Sequence, residues 1–208
     1  MKKRINHILI ALAGILTVSC NAWLDVTPDN AIADDDLFST GFGYRNALNG
    51  IYTNLASDEL YGKQLSWGFL SAISQQYNQK VGTISPMYAD ASELIYNTVD
   101  TEPVVTAIWE KGYKVIANLN KLIENILPTD ISLFEYGEEE KKLIYAEALS
   151  LRAMMHFDLL RLFAPAPATN PSGTYLPYRD KYEAAVIEKS TVTDFIEKVL
   201  KDLLEAED

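Results

Sequence analysis

Four aromatic side chains in or near the longest irregular stretch of the sequence, residues 80–103, are the ones best placed for chemistry. They are Trp67, Tyr77, Tyr88 and Tyr96, and the amide of Asn97 follows directly after the last of them. Aromatic faces stack on sugar rings and amides hydrogen-bond the hydroxyls, and both work well from loops that a rigid scaffold holds. These residues therefore favour binding without catalysis. The alternative for each ring is packing between helices, which the sequence alone leaves open.

Catalytic and metal-binding side chains are scarce. The chain has two histidines, His7 and His156, and a single cysteine, Cys20. His156 lies in the most apolar predicted helix, where a hydrogen-bonded core histidine is the expected state. With so few such groups, nucleophile–base pairs and soft-metal clusters are nearly excluded, and acidic pairs such as Asp58 and Glu59 predict solvated carboxylates rather than glycosidase acids. We expect no catalytic residue, no metal and no cofactor.

The charge balance limits the partners. The formal net charge is −11, from 29 acidic and 18 basic residues. An acidic chain of this kind argues against nucleic acid as a partner, because phosphate binding depends on Lys and Arg. It is equally unsuited to bind anionic lipid by charge. The length and apolar content are those of one globular domain of ordinary size.

The N-terminus is typical of an exported lipoprotein. Lys2, Lys3 and Arg4 precede an apolar segment, residues 8–18, that is shorter than the ~20 residues a bilayer span needs. It ends at Ser19-Cys20, and Cys20 has no disulfide partner. We predict a signal peptide over residues 1–19, lipidation of Cys20, and a lipidated tether with an extended segment over residues 20–36. The alternative is an ordinary signal cleavage site that happens to contain a cysteine.

Apolar residues recur at helical spacing in four segments, which predicts a helical domain over residues 37–208. The stripes lie at residues 44–55, 105–126, 145–167 and 195–204. The segment 145–167 is apolar almost all the way round, so we expect it to pack on several sides, with its small Ala residues letting partner helices approach. A weaker fifth helix is predicted around residues 67–77, and residues 93–99 could form a short helix or strand. Asn120 is predicted to bridge helices rather than to bind a ligand.

The ends of these segments carry suitable terminal residues. Ser39 and Thr40 could cap the first helix, or the acidic run 34–36 could begin it one turn earlier. Residues 138–140 are three glutamates just before the central segment, where a helix N-terminus favours negative charge. Pro165 and Pro167 end that segment, because proline cannot continue the helical hydrogen bonds.

The order of residues in the central segment resembles a known family. Residues 146–153 read Ala-Glu-Ala-Leu-Ser-Leu-Arg-Ala, followed by Asp158-Leu159 and by Arg161-Leu162-Phe163. This order is similar to the central helix of the SusD/RagB family. Further stretches resemble family motifs in the same chain order: residues 23–28 (WLDVTP), the spacing of Trp109, Tyr113, Ile116 and Asn120, and Thr191-Val192 with Asp202-Leu203. Each motif is weak alone, and their agreement in order is quite specific.

The resemblance implies a fold and a function. The fold would be all-α, a tetratricopeptide-like helical-pair scaffold with long irregular loops, in which the Trp109 helix is the antiparallel partner of the central helix. The function would be that of a non-catalytic surface lipoprotein, held in the outer membrane through Cys20 and facing the exterior. It would capture oligosaccharide or polysaccharide for a SusC-like TonB-dependent transporter. Family members form part of the glycan site from loops of this region, although no family motif marks individual residues here.

Members of this family are usually more than twice as long, so the resemblance covers only their N-terminal part. The alternative hypothesis is therefore a truncated helical-repeat module that acts only in protein–protein interaction. In that case the apolar face of the last helix, which includes Phe195, Val199 and Leu203, would lack some of its partners. An ordered loop over residues 80–103 with its aromatics exposed in a row would favour the glycan-binding hypothesis instead.

Overall fold

Long helices form most of the described chain. The computed structural model describes residues 34–76 and 85–207, so the predicted signal peptide, Cys20, most of the tether and Tyr77 lie outside these ranges. The elements are α1 (Asp34–Leu37), α2 (Gly41–Leu55), α3 (Phe69–Ile73), α4 (Pro86–Ser92), α5 (Glu102–Ile126), a 3₁₀ turn (Ile131–Leu133), α6 (Gly137–Phe163), β1 (Thr174–Leu176), β2 (Ser190–Thr191) and α7 (Val192–Glu207). About five helices are predicted from the sequence. The two additional α-helical segments are short ones, α1 and α4.

The fold class is confirmed as all-α. In the described ranges the strand content is limited to β1 and β2, which pair antiparallel. None of the helices there has the length and hydrophobicity that a bilayer span requires. The buried apolar side chains form one cluster to which α2, α5, α6 and α7 all contribute.

The helix α5 is the antiparallel partner of α6, as predicted. Along α5 the side chains of Trp109, Tyr113 and Asn120 contact residues that lie progressively earlier on α6. The Trp109 ring is 4.9 Å from that of Phe163, the Tyr113 ring is 6.5 Å from that of His156, and Asn120 hydrogen-bonds Arg152. The ten residues that join them, 127–136, are too few to return along α5, so the two helices bury their facing stripes against each other in the antiparallel arrangement.

Close approach of α5 and α6 depends on Gly112. A Cβ atom built on Gly112 would lie 3.1 Å from Cδ2 of Leu159, which is tighter than ordinary van der Waals contact. On the facing helix, Ala148 and Ala153 are fully buried. Small residues on both helices therefore set the spacing, as expected for the Ala-rich central segment.

The central helix differs from the prediction in its start and in its outer face. It begins at Gly137, eight residues before the predicted Tyr145, so the glutamates 138–140 lie in its first turn. It ends at Phe163, two residues before Pro165. Packing on several sides is only partly correct, because Met154 and Phe157 are exposed on the surface. Both side chains are partly in solvent, and the Arg161 guanidinium lies 5.6 Å from the centroid of the Phe157 ring.

The described segments 57–76 and 85–101 contain less regular helix than the sequence predicts. Only five residues, Phe69–Ile73, are helical where a helix around 67–77 is expected, because tight turns fill the residues before them. Residues 93–99 form turns rather than the short helix or strand that was suggested, with Leu94 at φ 61°. Conversely, the stretch predicted as irregular contains α4, which Pro86 begins at a position where proline fits a helix.

Side-chain hydroxyls cap two helix starts, and the cap predicted at Thr40 is confirmed. The Thr40 hydroxyl accepts a hydrogen bond from the Gly43 N–H at 3.1 Å, and the Thr191 hydroxyl accepts from the Asp194 N–H at 3.1 Å. The acidic run 34–36 forms a separate short helix rather than the start of α2. On α7, Phe195 and Val199 are buried, whereas Leu200, Leu203 and Leu204 are exposed. The expectation that this apolar face lacks partners is therefore wrong for Phe195 and Val199 and holds for Leu203, beside which Leu200 and Leu204 are exposed as well.

Candidate functional site

The first candidate site is a cleft where α3, the N-terminal end of α5 and the C-terminal end of α6 meet. Its volume is about 110 Å³, and it is lined by Phe69, Ile73, Tyr96, Val105, Ile108, Leu162 and Phe163. We call it the Tyr96 cleft. Every lining side chain except Tyr96 is hydrocarbon, so the Tyr96 hydroxyl supplies its side-chain polarity.

Tyr96 lies at the edge of this cleft with part of its ring in solvent. Its ring centroid is 6.0 Å from that of Phe69, which is buried, and 41% of the residue is exposed. Burial of the remainder raises the pKa of Tyr96 above its usual value. The hydroxyl therefore stays protonated at neutral pH and can donate a hydrogen bond to a ligand.

Hydrogen bonds fix the turn that carries Tyr96. The Thr98 hydroxyl donates a hydrogen bond to Oδ2 of Asp90 on α4 at 2.7 Å and accepts one from the Thr101 hydroxyl at 2.9 Å. The Ile95 N–H donates to the Asp90 carbonyl at 2.9 Å. Because Thr101 immediately precedes α5, this network ties α4, the turn and α5 together. The described part of the loop, residues 85–101, is ordered in this way.

Trp67, two residues before Phe69 in the sequence, is a second aromatic residue that is exposed at the surface. It is 58% exposed, and the Lys63 ammonium group lies 5.7 Å from its ring centroid. The tight turn that ends at Gly68 positions it, since the Gly68 N–H donates to the Lys63 carbonyl at 2.7 Å. A Cβ on Gly68 would lie 2.8 Å from that carbonyl oxygen, so glycine is required there.

The predicted residues do not all converge. Tyr96 and the exposed Asn97 are adjacent, and Trp67 lies two residues before Phe69, the ring that packs on Tyr96. Tyr88 is half-buried on α4, and Trp67, Tyr88 and Asn97 are not among the side chains that line the cleft. Tyr77 lies outside the described residues. Their assignment as glycan-binding residues stays a prediction.

Sequence reasoning missed the apolar wall of the cleft. Phe163 and Leu162 come from the last turn of the central helix, and Val105 from the first turns of α5. One signal was present in the sequence. Leu162 and Phe163 lie in the last turn before Pro165, so the sequence places two large apolar side chains at the end of the central helix.

A second group of polar side chains lies buried between α5, α6 and α7, and we call it the Arg152 cluster. Arg152 donates from Nε and Nη2 to the two carboxylate oxygens of Asp202, both at 2.7 Å, and from Nη1 to Oδ1 of Asn120 at 2.8 Å. The Tyr178 hydroxyl donates to Asp202 at 2.6 Å. Burial lowers the pKa of Arg152, but hydrogen bonding to Asp202 and its charge outweigh this and raise the pKa overall.

The Arg152 cluster also fixes the loop that follows α6. The Asn120 amide donates to the Arg179 and Lys181 carbonyls at 3.0 and 3.2 Å, so Asn120 bridges the helices as predicted and anchors this loop as well. The backbone N–H of Arg179 donates to Nε2 of His156 at 3.1 Å, so the imidazole proton lies on Nδ1, which donates to the Arg152 carbonyl at 3.0 Å.

His156 is confirmed as a hydrogen-bonded core histidine. Burial lowers its pKa to about 3, so it is neutral at physiological pH, and its ring stacks on Tyr178 with centroids 3.9 Å apart. Both ring nitrogens are used by backbone groups. Among the described residues, no group of three or more His, Cys, Asp or Glu side chains is arranged to hold a metal ion. The cluster joins helices to one another.

The sequence from residue 22 onward matches one known family. A SusD-like family model, described as "Starch-binding associating with outer membrane", matches residues 22–208. The chain belongs to the SusD-like family. The family suggested by the order of the helix motifs is thereby confirmed.

Curated SusD-like relatives cover nearly all of this chain but are much longer. SusD-like protein P2 of Formosa agariphila is 24% identical over 206 residues, which are 98% of this chain and 37% of that protein. SusD-like protein P38 of the same organism is 27% identical over 204 residues, 98% of this chain and 36% of that protein. The SusD-like chain described here therefore spans a little over a third of the length of these relatives.

Solved SusD structures share the fold. A SusD superfamily protein from Bacteroides thetaiotaomicron has a TM-score of 0.64 at 24% identity, over 80% of this chain and 36% of that one. A SusD-like carbohydrate binding protein from Bacteroides vulgatus has a TM-score of 0.60 at 19% identity, over 80% and 35%. The tetratricopeptide-like helical scaffold of this SusD-like chain is thus the one that the family shares.

Proposed function

We propose that this SusD-like chain captures oligosaccharide at the outer membrane without cleaving it, and that the Tyr96 cleft with Trp67 and Asn97 forms part of the sugar site. The family description, starch-binding and associated with the outer membrane, supports the ligand class and the location. The exposure of Trp67, Tyr96 and Asn97 and the packing of Tyr96 on Phe69 support the choice of residues.

One observation carries the proposal: the described part of the predicted loop is ordered and holds Tyr96 partly exposed on top of the buried Phe69. A phenol ring at the surface, backed by a hydrophobic wall, offers a flat apolar face and a hydroxyl donor. Asn97 next to it adds an amide that can both donate and accept hydrogen bonds. An open site of this kind binds one face of a sugar ring rather than enclosing it.

The chemistry of the cleft favours binding without cleavage. Glycosidic hydrolysis uses two carboxyl groups on either side of the scissile bond, and the side chains that line the Tyr96 cleft include no carboxyl. His156 cannot serve as a base from the core, because both of its ring nitrogens are engaged. Turnover of an oligosaccharide by the purified protein would contradict this part of the proposal.

We extend the proposal to the membrane and the transporter. Cys20 would carry the lipid that anchors the chain to the outer membrane facing the exterior, and a SusC-like TonB-dependent transporter would receive the captured sugar. Metabolic labelling with a palmitate analogue tests the anchor. We expect Cys20→Ser to lose the label and to leave the membrane fraction. A labelled Cys20→Ser protein would contradict lipidation at this residue.

The alternative, a helical-repeat module that only binds protein, is favoured by one feature of α7. Leu200, Leu203 and Leu204 are exposed together on its outer side. Exposed leucines at helical spacing are typical of a helix that packs against a further element or partner. Sugar binding by the purified chain separates the two hypotheses.

The experiment is a calorimetric titration of the chain from residue 20 onward with maltoheptaose and other neutral oligosaccharides. We expect Trp67→Ala and Tyr96→Ala each to weaken binding about two- to twelvefold, because an aromatic stacking contact contributes ~0.5–1.5 kcal/mol. Tyr182→Ala is the matched control, since Tyr182 is also exposed but lies in the loop after β1.

Three results would count against the proposal. The first is the absence of sugar binding by a chain that circular dichroism shows to be folded, which would favour the protein-binding alternative. The second is binding that both Trp67→Ala and Tyr96→Ala leave unchanged, because the site would then lie elsewhere. The third is an equal loss in Tyr182→Ala, which would indicate a general effect on the fold.

A further inference from the structure

A larger groove lies at the other end of α6, and no role has been assigned to it. It has two hollows, of about 520 and 300 Å³, between the start of α2 and the start of α6. The larger is lined by side chains that include Arg45, Asn49, Tyr136, Glu139, Leu143 and Glu147. The smaller is lined by side chains that include Thr40, Phe42, Ser132, Leu133 and Glu135. We call the two hollows together the Arg45 groove.

An ion pair divides the groove and is firmly held. Arg45 donates from Nη2 to Oε1 of Glu140, and both residues line both hollows. The other carboxylate oxygen, Oε2, accepts the Tyr136 N–H at 3.0 Å, and the Glu140 side chain is only 6% exposed. The Arg45 side chain is 43% exposed, and a guanidinium has five N–H donors, so it retains donors for a ligand.

Two exposed aromatic rings flank this ion pair. Phe42, which lines the smaller hollow, is 71% exposed, and Tyr136, which lines the larger hollow, is 66% exposed. Within residues 34–76 and 85–207, neither ring packs against another aromatic ring or a cation at close range. Rings at the surface of ordered helix starts are costly to hydrate and provide flat stacking faces.

The charges in the groove limit its ligand. Glu135, Glu139 and Glu147 surround the Arg45–Glu140 pair, so carboxylates outnumber the guanidinium. Anionic ligands are repelled from such a site, whereas a neutral polyol finds carboxylate acceptors, guanidinium and amide donors, and apolar ring faces. A protein partner fits less well, because the centres of protein interfaces are depleted of charged residues and this groove has an ion pair at its centre.

The groove is separate from the Tyr96 cleft. Leu143 in the groove and Leu162 in the cleft are both on α6, and at ~1.5 Å of rise per residue they lie about 30 Å apart along the helix. The hollows also have the size that ordinary ligand sites have, ~300–1,000 Å³. A ligand bound here would not touch Tyr96 or Trp67.

We propose that the Arg45 groove is a second carbohydrate site, which binds a neutral oligosaccharide across the Arg45–Glu140 pair with sugar rings stacked on Tyr136 and Phe42. It shares the ligand class of the proposed function but none of its residues. A long polysaccharide could then contact the protein at both ends of α6.

The test is an NMR titration of the ¹⁵N-labelled chain with maltoheptaose, cellohexaose and mannohexaose, with a galacturonate hexamer as the anionic counterpart. The reporters are the Asn49 side-chain amide and the backbone amides of residues 135–147 for the groove, and the amides of residues 94–98 for the Tyr96 cleft. We expect at least one neutral oligosaccharide to shift the groove reporters in a saturable way, and the galacturonate hexamer to shift them at least tenfold more weakly.

Variants separate this site from the first. Tyr136→Ala removes only an exposed side chain and is expected to weaken binding at the groove reporters about two- to tenfold. The double variant Trp67→Ala/Tyr96→Ala should leave the groove titration unchanged, so failure of one site does not imply failure of the other. Leu127→Ala is the control for loss of an exposed side chain outside the groove.

Three outcomes would overturn the proposal. No shift of the groove reporters with any of the neutral oligosaccharides at millimolar concentration is one, and it would leave a protein as the better occupant. Equal binding of the galacturonate hexamer is the second. A groove titration that Tyr136→Ala and Phe42→Ala both leave unchanged is the third.

Discussion

The Arg152 cluster and the Tyr96 cleft both use α5 and α6, yet their chemistry is opposite. The cluster contains an arginine, an aspartate, an asparagine and a histidine, the residue types from which enzymes build active sites. All of them are buried, and their partners are other residues of the chain. The cleft contains hydrocarbon side chains and one phenol, and it is open to solvent.

This difference shows that burial and hydrogen-bond satisfaction, more than residue type, separate scaffold from site. Every polar group of the Arg152 cluster that is described above has a partner within the fold, so nothing remains to bind a ligand. Tyr96, by contrast, is 41% exposed to solvent.

The Arg152 cluster should dominate stability. We expect Arg152→Ala to lower the free energy of unfolding by about 3–5 kcal/mol, because it leaves the buried Asp202 carboxylate without its counter-charge. Urea denaturation measures this. Arg161→Ala is the control, since the Arg161 side chain is 54% exposed in its ion pair with Asp158 and pairs at the surface contribute ~0–1 kcal/mol. A loss under 1 kcal/mol in Arg152→Ala would mean that the Arg152 cluster does not stabilise the packing of α5, α6 and α7.

Substitutions at a packed and at an open helical glycine should have opposite effects on stability. Gly112→Val is expected to cost about 1–3 kcal/mol, because its Cβ would already lie 3.1 Å from Leu159. Gly50→Ala, where no atom lies within 4 Å of the added Cβ, is expected to stabilise α2 by about 0.5–1 kcal/mol. Thermal denaturation of both variants checks the two signs. A harmless Gly112→Val would contradict the close approach of α5 and α6.

His156 should make stability depend on pH. Its folded pKa is about 3 and its ordinary value is 6.5, so between these values the unfolded chain binds the proton more readily. The contribution of neutral His156 to the free energy of unfolding is therefore fully present above pH 6.5 and is lost as the pH falls towards 3. From pH 6.5 to 5, above the ordinary carboxyl pKa values, we expect a loss of about 1.5 kcal/mol. Urea midpoints at these pH values, compared with those of His156→Gln, measure the slope, which should flatten in the variant.

The aromatic residues of the proposed sugar site should contribute little to stability. Trp67→Ala is expected to change the free energy of unfolding by no more than about 0.5 kcal/mol, because most of the side chain is in solvent. The measurement is the same urea denaturation. A large destabilisation would show that Trp67 packs as part of the scaffold, and the contrast between the two regions would weaken.

The sequence predicted the regular parts of the fold well. The stripes around Leu119 and Leu159 have helical spacing, and that local pattern is sufficient to place α5 and α6. It could not predict that Arg152 pairs with Asp202, because the two residues are 50 positions apart and spacing does not encode long-range contacts. The expectation that the central segment packs on several sides fails at Phe157 for a related reason, since periodicity shows that a face is apolar but not whether another element covers it.

The candidate site was predicted less completely. Tyr96 and Trp67 were identified from residue type and from their place in an irregular stretch, and they are partly exposed. The apolar wall, with Phe69 and Phe163, was missed because such residues look like core in a sequence. A cleft depends on how α3, α5 and α6 converge, which is a tertiary property.

The response of the indole N–H signals to maltoheptaose tests the proposed sugar site most directly. The chain has three tryptophans, Trp23, Trp67 and Trp109, so an NMR spectrum resolves one signal for each, and Trp67→Ala assigns its own. We predict that the Trp67 signal shifts on titration, and that Tyr96→Ala weakens this shift while the Arg152 cluster variants that remain folded do not. A Trp67 signal that stays fixed while another region of the protein saturates with the sugar would contradict the account.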